Sequence, residues 1–238
     1  MESQSTQQSA LQKFSVPLAI VVAGALIAGA LYFSGSSKTP ANTAALPAAV
    51  TAEGMRPVDA NDHILGNPNA ELVIVEYSDT ECPFCKQFHN TMKQVMNSYG
   101  KDGDVAWVYR HFPIDQLHSK ARKQAEATEC ANDLGGNDKF WAFTNTLYER
   151  TPSNNGFDDK QLPVIAKDIG LDVDAFNACL SSGKFAAKVE ADYQDAVKAG
   201  GRGTPYSLII TKKDGTKVPI NGAQPYESLK GTLDLLLK

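Results

Sequence analysis

Val73–Lys86 reads VIVEYSDTECPFCK, and this stretch decides the fold. A run of β-branched residues ends in a turn, a Cys-Pro-Phe-Cys follows, and a helix opens. Cys82 falls at the helix N-cap and Pro83 at the first helical position, where proline's missing N–H would have had no partner anyway. Cys85 comes three residues later, so both sulfurs lie on one side of the first turn. Unpartnered backbone N–H groups and the helix dipole favour an anion there. The dipole supplies about 0.3–2 kcal/mol, roughly one pKa unit for a thiol. Hydrogen bonds from the amides of Phe84 and Cys85 are left to supply any further drop. The pattern predicts Cys82 as the attacking sulfur and Cys85 as the resolving one.

The same spacing is also half of a zinc site. The sequence holds no second C-x-x-C and no H-x-x-x-H to complete one, and Lys86 stands where a haem-attachment motif needs histidine. With a strand before and a helix after, the pair reads as a redox centre, and neither metal nor cofactor is assigned. His89 shares the face of Cys85 and reads as a partly exposed helix histidine. His111 reads as a strand-end residue.

The chain has 238 residues, 42% of them hydrophobic, enough for one domain with a real core plus a tail. A formal net charge of −4 with no long like-charge run gives nucleic acid nothing to bind. The four cysteines, Cys82, Cys85, Cys130 and Cys179, allow three pairings.

Val16–Phe33 contains no charge. As a helix it would span about 27 Å, close to a ~30 Å hydrocarbon core. Phe14, Tyr32 and Phe33 flank it as interfacial aromatics do, and Lys13 on the short side places the N-terminus in the cytoplasm. The rival reading is a cleaved signal peptide with Ala28-Gly29-Ala30 as its site. The expected organisation is a cytoplasmic tail over 1–15, a transmembrane signal anchor over 16–33, a flexible linker over 34–60, and a domain over 61–238 outside the cytoplasm. The linker follows from Ser, Thr, Ala, Pro and Gly without periodicity.

Within the domain, 61–70 is a turn-rich entry and Leu72–Tyr77 a central strand buried on both faces. Glu76 is its exception. It is either a strand-end glutamate turned to water or a buried acid of raised pKa placed to exchange protons with Cys85. The Pro83 helix runs to about Ser98, and Val105–Phe112 is the next strand. Helices are expected near 118–134, 139–150, 159–169 and 173–182, with a loop over 151–156. Cys130 and Cys179 lie inside these helices, as two buried thiols or, in an oxidising compartment, a structural disulfide. A helix over 185–199 precedes Arg202-Gly203-Thr204-Pro205, a hairpin of strands 206–211 and 217–220, and a closing helix over 226–237.

These pieces, VEYSDTECPFC, the helical insert and GTPYSLII before the hairpin, resemble the DsbA-like branch of the thioredoxin superfamily over about 62–238. The resemblance implies an α/β thioredoxin-like fold, with thioredoxin parts at about 61–113 and 185–238 and an all-α insertion at about 114–184. It implies thiol–disulfide exchange on exported proteins with cysteine thiols or disulfides, and a membrane redox partner. It also implies that Pro205 is cis, that Thr204 offers its backbone to substrate, and that Glu76, six residues before the first cysteine, lies under the active site. The best-known oxidant of this branch has histidine where this chain has Phe84, and threonine before the proline also occurs in reducing and isomerising relatives. The favoured activity is that of an oxidase rather than a reductase or isomerase. The alternatives are a membrane-tethered Cu(I)- or Zn(II)-binding protein using the paired sulfurs, and a redox-dead module that grips unfolded chains.

Overall fold

The computed structural model describes residues 48–49 and 52–238. The expected tail and anchor, and most of the linker, lie outside the described residues. Among the described residues no helix is long and apolar enough to cross a membrane.

Five strands form one sheet: β1 (His63–Leu65), β2 (Leu72–Ser78), β3 (Val105–His111), β4 (Tyr206–Thr211) and β5 (Lys217–Asn221). Their order is β1-β3-β2-β4-β5, so β2 is central. It runs parallel to β3, with Glu76 opposite Tyr109 and Ser78 opposite His111, and antiparallel to β4. A strand paired on both edges and covered on both faces has no side to give to water, hence the near-continuous apolar run.

The two faces are covered by different helices. Ile74, Trp107, Tyr109 and Ile209 pack under α1 (Pro83–Val95) and α6 (Tyr226–Leu236), whose buried stripes are Phe88, Met92 and Val95, and Leu229 and Leu233. Val75, Tyr77, Val108 and Leu208 alternate to the other face, against Ala196 of α5 (Ala186–Lys198) and Ala199 just after it. Alternation along the strand thus builds two cores from one sheet.

Between β3 and α5 lie α2 (Ala121–Arg150), α3 (Leu162–Asp168, after a 3-10 turn at Asp159–Gln161) and α4 (Val173–Ser182). They share a core of Phe143, Leu147, Leu162, Ile165 and Phe176. Cys130 and Cys179 are bonded inside it, Cα atoms 5.9 Å apart, closing a 49-residue separation. Loop closure of that length stabilises by up to about 4 kcal/mol in the entropic account.

Several elements differ from the sequence reading. The entry over 61–70 contains β1, an edge strand antiparallel to β3. Three residues are too few to display a period of two, and the turn residues after them dominate the pattern. The helix from Pro83 stops at Val95 and continues as a π-turn over Met96–Gly100. The helices expected over 118–134 and 139–150 are two arms of α2, broken at Gly136, whose φ of 74° and ψ of −172° are open only to glycine.

Arg110 fastens the layers. Its side chain is fully buried and donates to Asp62 Oδ2 (2.8 Å), Asp195 Oδ2 (2.7 Å) and the Tyr77 hydroxyl (3.1 Å). It also donates to the carbonyls of Arg56 and Pro57. Entry segment, sheet and α5 therefore meet on one guanidinium. Burial pushes the Asp62 carboxyl up, but its bonds to Arg110 and Arg56 outweigh that and hold it below the usual range. Replacing Arg110 by methionine takes the fully buried cation from Asp62 and Asp195, which keep only the partly exposed Arg56 as a charge partner, and should cost about 3–5 kcal/mol at pH 7 in urea unfolding. A depressed carboxyl contributes stability above its unfolded pKa and loses it as pH falls. The gap between wild type and Arg110→Met should therefore narrow below about pH 4.

Candidate active site

The C-terminal end of β2 delivers Cys82 to the start of α1. Cys82 is the N-cap residue, with extended φ −77° and ψ 123°, and Pro83 is the first helical residue. No side chain caps the helix, so its first amides are left for the sulfur. Cys82 is 5% exposed, Cys85 is fully buried, and both are free thiols. The Phe84 side chain between them stands in solvent, 62% exposed. Opposite, the Thr204–Pro205 peptide is cis, and the Cys82 thiol donates to the Thr204 carbonyl at 3.5 Å.

The two sulfurs are driven apart in acidity. A hydrogen bond from the Cys85 thiol is the largest influence on Cys82. Burial opposes it, and Thr204 and the amides of Cys85 and Phe84 add to it, leaving Cys82 at about 6. At neutral pH the thiolate form of that sulfur is favoured. Burial pushes Cys85 well above the ordinary thiol value, and the neighbouring Cys82 and Glu76 push it further. Sequence reasoning assigned the thiolate to dipole and amides. In the structure the second sulfur is the larger influence and the amides only assist.

Glu76 is fully buried on the face of the sheet under α1. The Trp107 indole donates to its Oε2 at 2.9 Å, while Oε1 has no partner. Burial raises the carboxyl to about 7, against the pull of Ser78 and Trp107. A carboxyl at that value can hold or release a proton near neutral pH. Of the two sequence readings of Glu76, the geometry is that of the buried acid. Ser78, not singled out from sequence, pairs with the Tyr148 hydroxyl at 2.9 Å, which pairs with Tyr109 at 3.0 Å.

Sequence reasoning also missed the turn that carries Cys82. Asp79, Thr80 and Glu81 read as a polar turn, yet all three are buried. The Asp79 amide donates to Cys85 Sγ at 3.4 Å. Its carboxylate accepts from the amides of Glu81 and Ile114, both 2.8 Å, and from His118 Nδ1 at 2.9 Å. The Glu81 carboxylate accepts from Gln124 Nε2 and from the Asn155 amide, and its carbonyl accepts from the Asn154 amide. Asn154 and Asn155 have φ of 53° and 62°, which aims their amides at Glu81. No periodicity marks such burial in advance. Apart from Glu81 and Cys85 themselves, the partners lie 35 or more residues away.

His89 is a correction. It was expected partly exposed but is 1% exposed, with Nε2 2.7 Å from Asn145 Oδ1 and its ring 4.5 Å from that of Tyr148. Burial pulls it down to about 4, so it is neutral. His111, read as a strand end, is buried with Nε2 2.9 Å from Glu129 Oε1.

Comparison with known proteins covers most of the chain. Residues 59–235 match the family described as Thioredoxin. DsbA2 of Pseudomonas aeruginosa is 26% identical with a TM-score of 0.63, over 76% of this chain and 97% of that one. Alpha-DsbA1 of Wolbachia pipientis is 25% identical with a TM-score of 0.67, over 79% and 96%. The Na(+)/H(+) antiporter NhaA 1 of Mycolicibacterium gilvum is 32% identical over 162 residues, 67% of this chain but 25% of the antiporter. The chain thus matches only about a quarter of the length of that curated relative. With about three-quarters of its residues matched to one family, and a DsbA-like architecture shared over nearly the whole of two solved proteins, the chain belongs to the thioredoxin family.

Proposed function

We propose that the protein is an extracytoplasmic thiol:disulfide oxidoreductase acting on exported proteins, tethered by residues 16–33 and working as an oxidase. The observation that carries this reading is the split between the sulfurs, with Cys82 at about 6, Cys85 well above the thiol value and Glu76 at about 7 beneath them. The DsbA architecture of the solved relatives supports it. In this reading 61–113 and 185–238 carry the thioredoxin parts and 114–184 the insertion, and Thr204 and Pro205 meet the substrate.

The cycle starts from a Cys82–Cys85 disulfide. A substrate thiolate attacks Cys82 Sγ, the S–S bond breaks, and Cys85 leaves with the electron pair and takes a proton from the Glu76 carboxyl. A second substrate thiolate attacks the substrate sulfur of the mixed disulfide, and Cys82 leaves as the stabilised thiolate. Two electrons pass to the enzyme, and a membrane redox partner removes them. A stable Cys82 thiolate favours the reduced enzyme, hence oxidation of the substrate. Run backwards, the same groups reduce or isomerise. Metal binding at the paired sulfurs is the competing reading, and it is separated by turnover.

Replacing Cys85 by serine in the full chain removes the resolving sulfur. Mixed disulfides through Cys82 should then accumulate on non-reducing gels of cells making the variant. Their absence counts against the scheme, and stoichiometric metal that blocks thiol alkylation in the wild type selects the competing reading.

The reduction potential should change slope with pH at about 6. Below that value reduction takes up two protons for two electrons, about 59 mV per pH unit. Above it one proton is taken up, about 30 mV per pH unit. A single slope across pH 5–8 contradicts a Cys82 thiolate.

Glu76→Gln tests the buried acid. A carboxyl raised to about 7 keeps its proton when folded while the unfolded chain releases it, so wild-type stability falls as pH rises from about 4.5 through 7. The reduced variant should be more stable than wild type by up to about 3 kcal/mol above pH 7 and equal to it near pH 4. Release of Cys85 from the disulfide should slow. Parallel urea titrations and stopped-flow thiol exchange check both.

A further inference from the structure

Outside the thiol site, β1, β3 and α2 bring His63, His111 and Glu129 together, and two of them, His63 and Glu129, line an open cleft of about 670 Å³. All three are buried. His63 Nε2 lies 2.8 Å and His111 Nε2 2.9 Å from the same oxygen, Glu129 Oε1. The three candidate ligand atoms lie within 4.8 Å of one another. Zinc takes imidazole and carboxylate ligands at about 2.0–2.2 Å, which sets tetrahedral neighbours roughly 3.4 Å apart. An opening of about half an ångström at each contact admits an ion. The His63 ring is held by stacking on Phe140, centroids 3.5 Å apart, so its nitrogen stays aimed.

Two further observations point to a cation at this cluster. Glu129 Oε2 is buried without a hydrogen-bond partner, although Glu129 is fully inaccessible. Such an unmet carboxylate oxygen is costly in a low-dielectric interior. Among the described residues the full positive charge at Oε1 is Lys188, with Nζ at 3.1 Å and a side chain 27% exposed in the cleft. Nζ also lies 3.5 Å from Asp192 Oδ2, which supplies an alternative anchor when it leaves Glu129. A flexible ammonium therefore occupies the mouth of a two-imidazole, one-carboxylate set.

We propose that His63, His111 and Glu129 form a binding site for a divalent transition ion of the zinc type, which displaces Lys188 from Glu129. Two imidazole nitrogens select zinc, cobalt or copper over calcium or magnesium, whose preferred ligands are oxygens. The fourth position faces the cleft and takes water. The ion fastens the edge strand β1 to β3 and to the long helix of the insertion, a structural role independent of the Cys82 chemistry.

The test uses the full chain without a polyhistidine tag, carrying Cys82→Ser and Cys85→Ser so that no free thiol competes. Titrated with Zn²⁺ by calorimetry, it should bind one ion per chain, with a saturable rise in melting temperature. Co²⁺ should give the visible bands of a tetrahedral nitrogen–oxygen site without sulfur charge transfer. Glu129→Gln should weaken Zn²⁺ at least tenfold, and Lys188→Met should tighten it several-fold by removing the competing cation. Lys188 is on the surface of the cleft, so that variant remains informative if a histidine or Glu129 substitution unfolds the chain. Absence of saturable binding, affinity unchanged in a folded Glu129→Gln, or Lys188→Met binding no tighter overturns the proposal.

Discussion

One hydrogen bond, from the buried Cys85 thiol to the Cys82 sulfur, sets the chemistry of this molecule. It needs two sulfurs one helical turn apart in opposite surroundings. Cys82 is at a helix start, where amides are unfilled. Cys85 is one turn deeper, against Glu76 and an aromatic wall, where a second negative charge is excluded by burial. The first sulfur can be an anion because the second cannot. Shifting the start of α1 by one residue would place Cys82 inside the helix and remove the asymmetry.

That start is fixed by buried acids. Asp79 and Glu81 flank the approach to Cys82; Asp79 spends Oδ2, and Glu81 both carboxylate oxygens, on groups distant in sequence. Asp79 reaches Ile114 and His118 in the connection after β3. Glu81 reaches Gln124 in α2 and Asn155 beyond it. The helical insertion is thereby tied to the turn that presents Cys82. The same connection carries Leu117, which stands 68% exposed, and α1 carries exposed Phe84. Two apolar side chains thus stand in water on elements that the buried turn holds in place, available to an incoming chain.

What could be read from the sequence follows from what is local. Cys82-Pro83 at a strand-to-helix junction is a local signal, and it located the helix start to the residue. The run LVIVEY needed only its composition to be central. Glu76 was ambiguous because one strand cannot say whether its end is covered, and only the family spacing tipped the reading. His89 was misplaced for the same reason. Its helix face is polar by composition, but Tyr148 and Asn145 arrive from α2 to bury it. Asp79, Glu81 and Glu129 were illegible because a lone acid in a turn or helix looks solvated until its distant donors are known.

The frequency of buried charge here argues about specificity rather than stability. Asp62, Asp79, Glu81, Arg110, Glu129 and Asp195 are all interior, and apolar substitutes of equal volume could serve the core as well. An apolar contact tolerates sliding, whereas a carboxylate that must meet two named amides does not. Arg110 fixes the entry segment against the sheet, Glu81 fixes the insertion, and Asp79 fixes the sulfur. The proposed cycle passes a proton between Cys85 and Glu76, and a step of that kind needs such fixity, because a misplacement of about one ångström breaks a hydrogen bond while leaving a hydrophobic core intact.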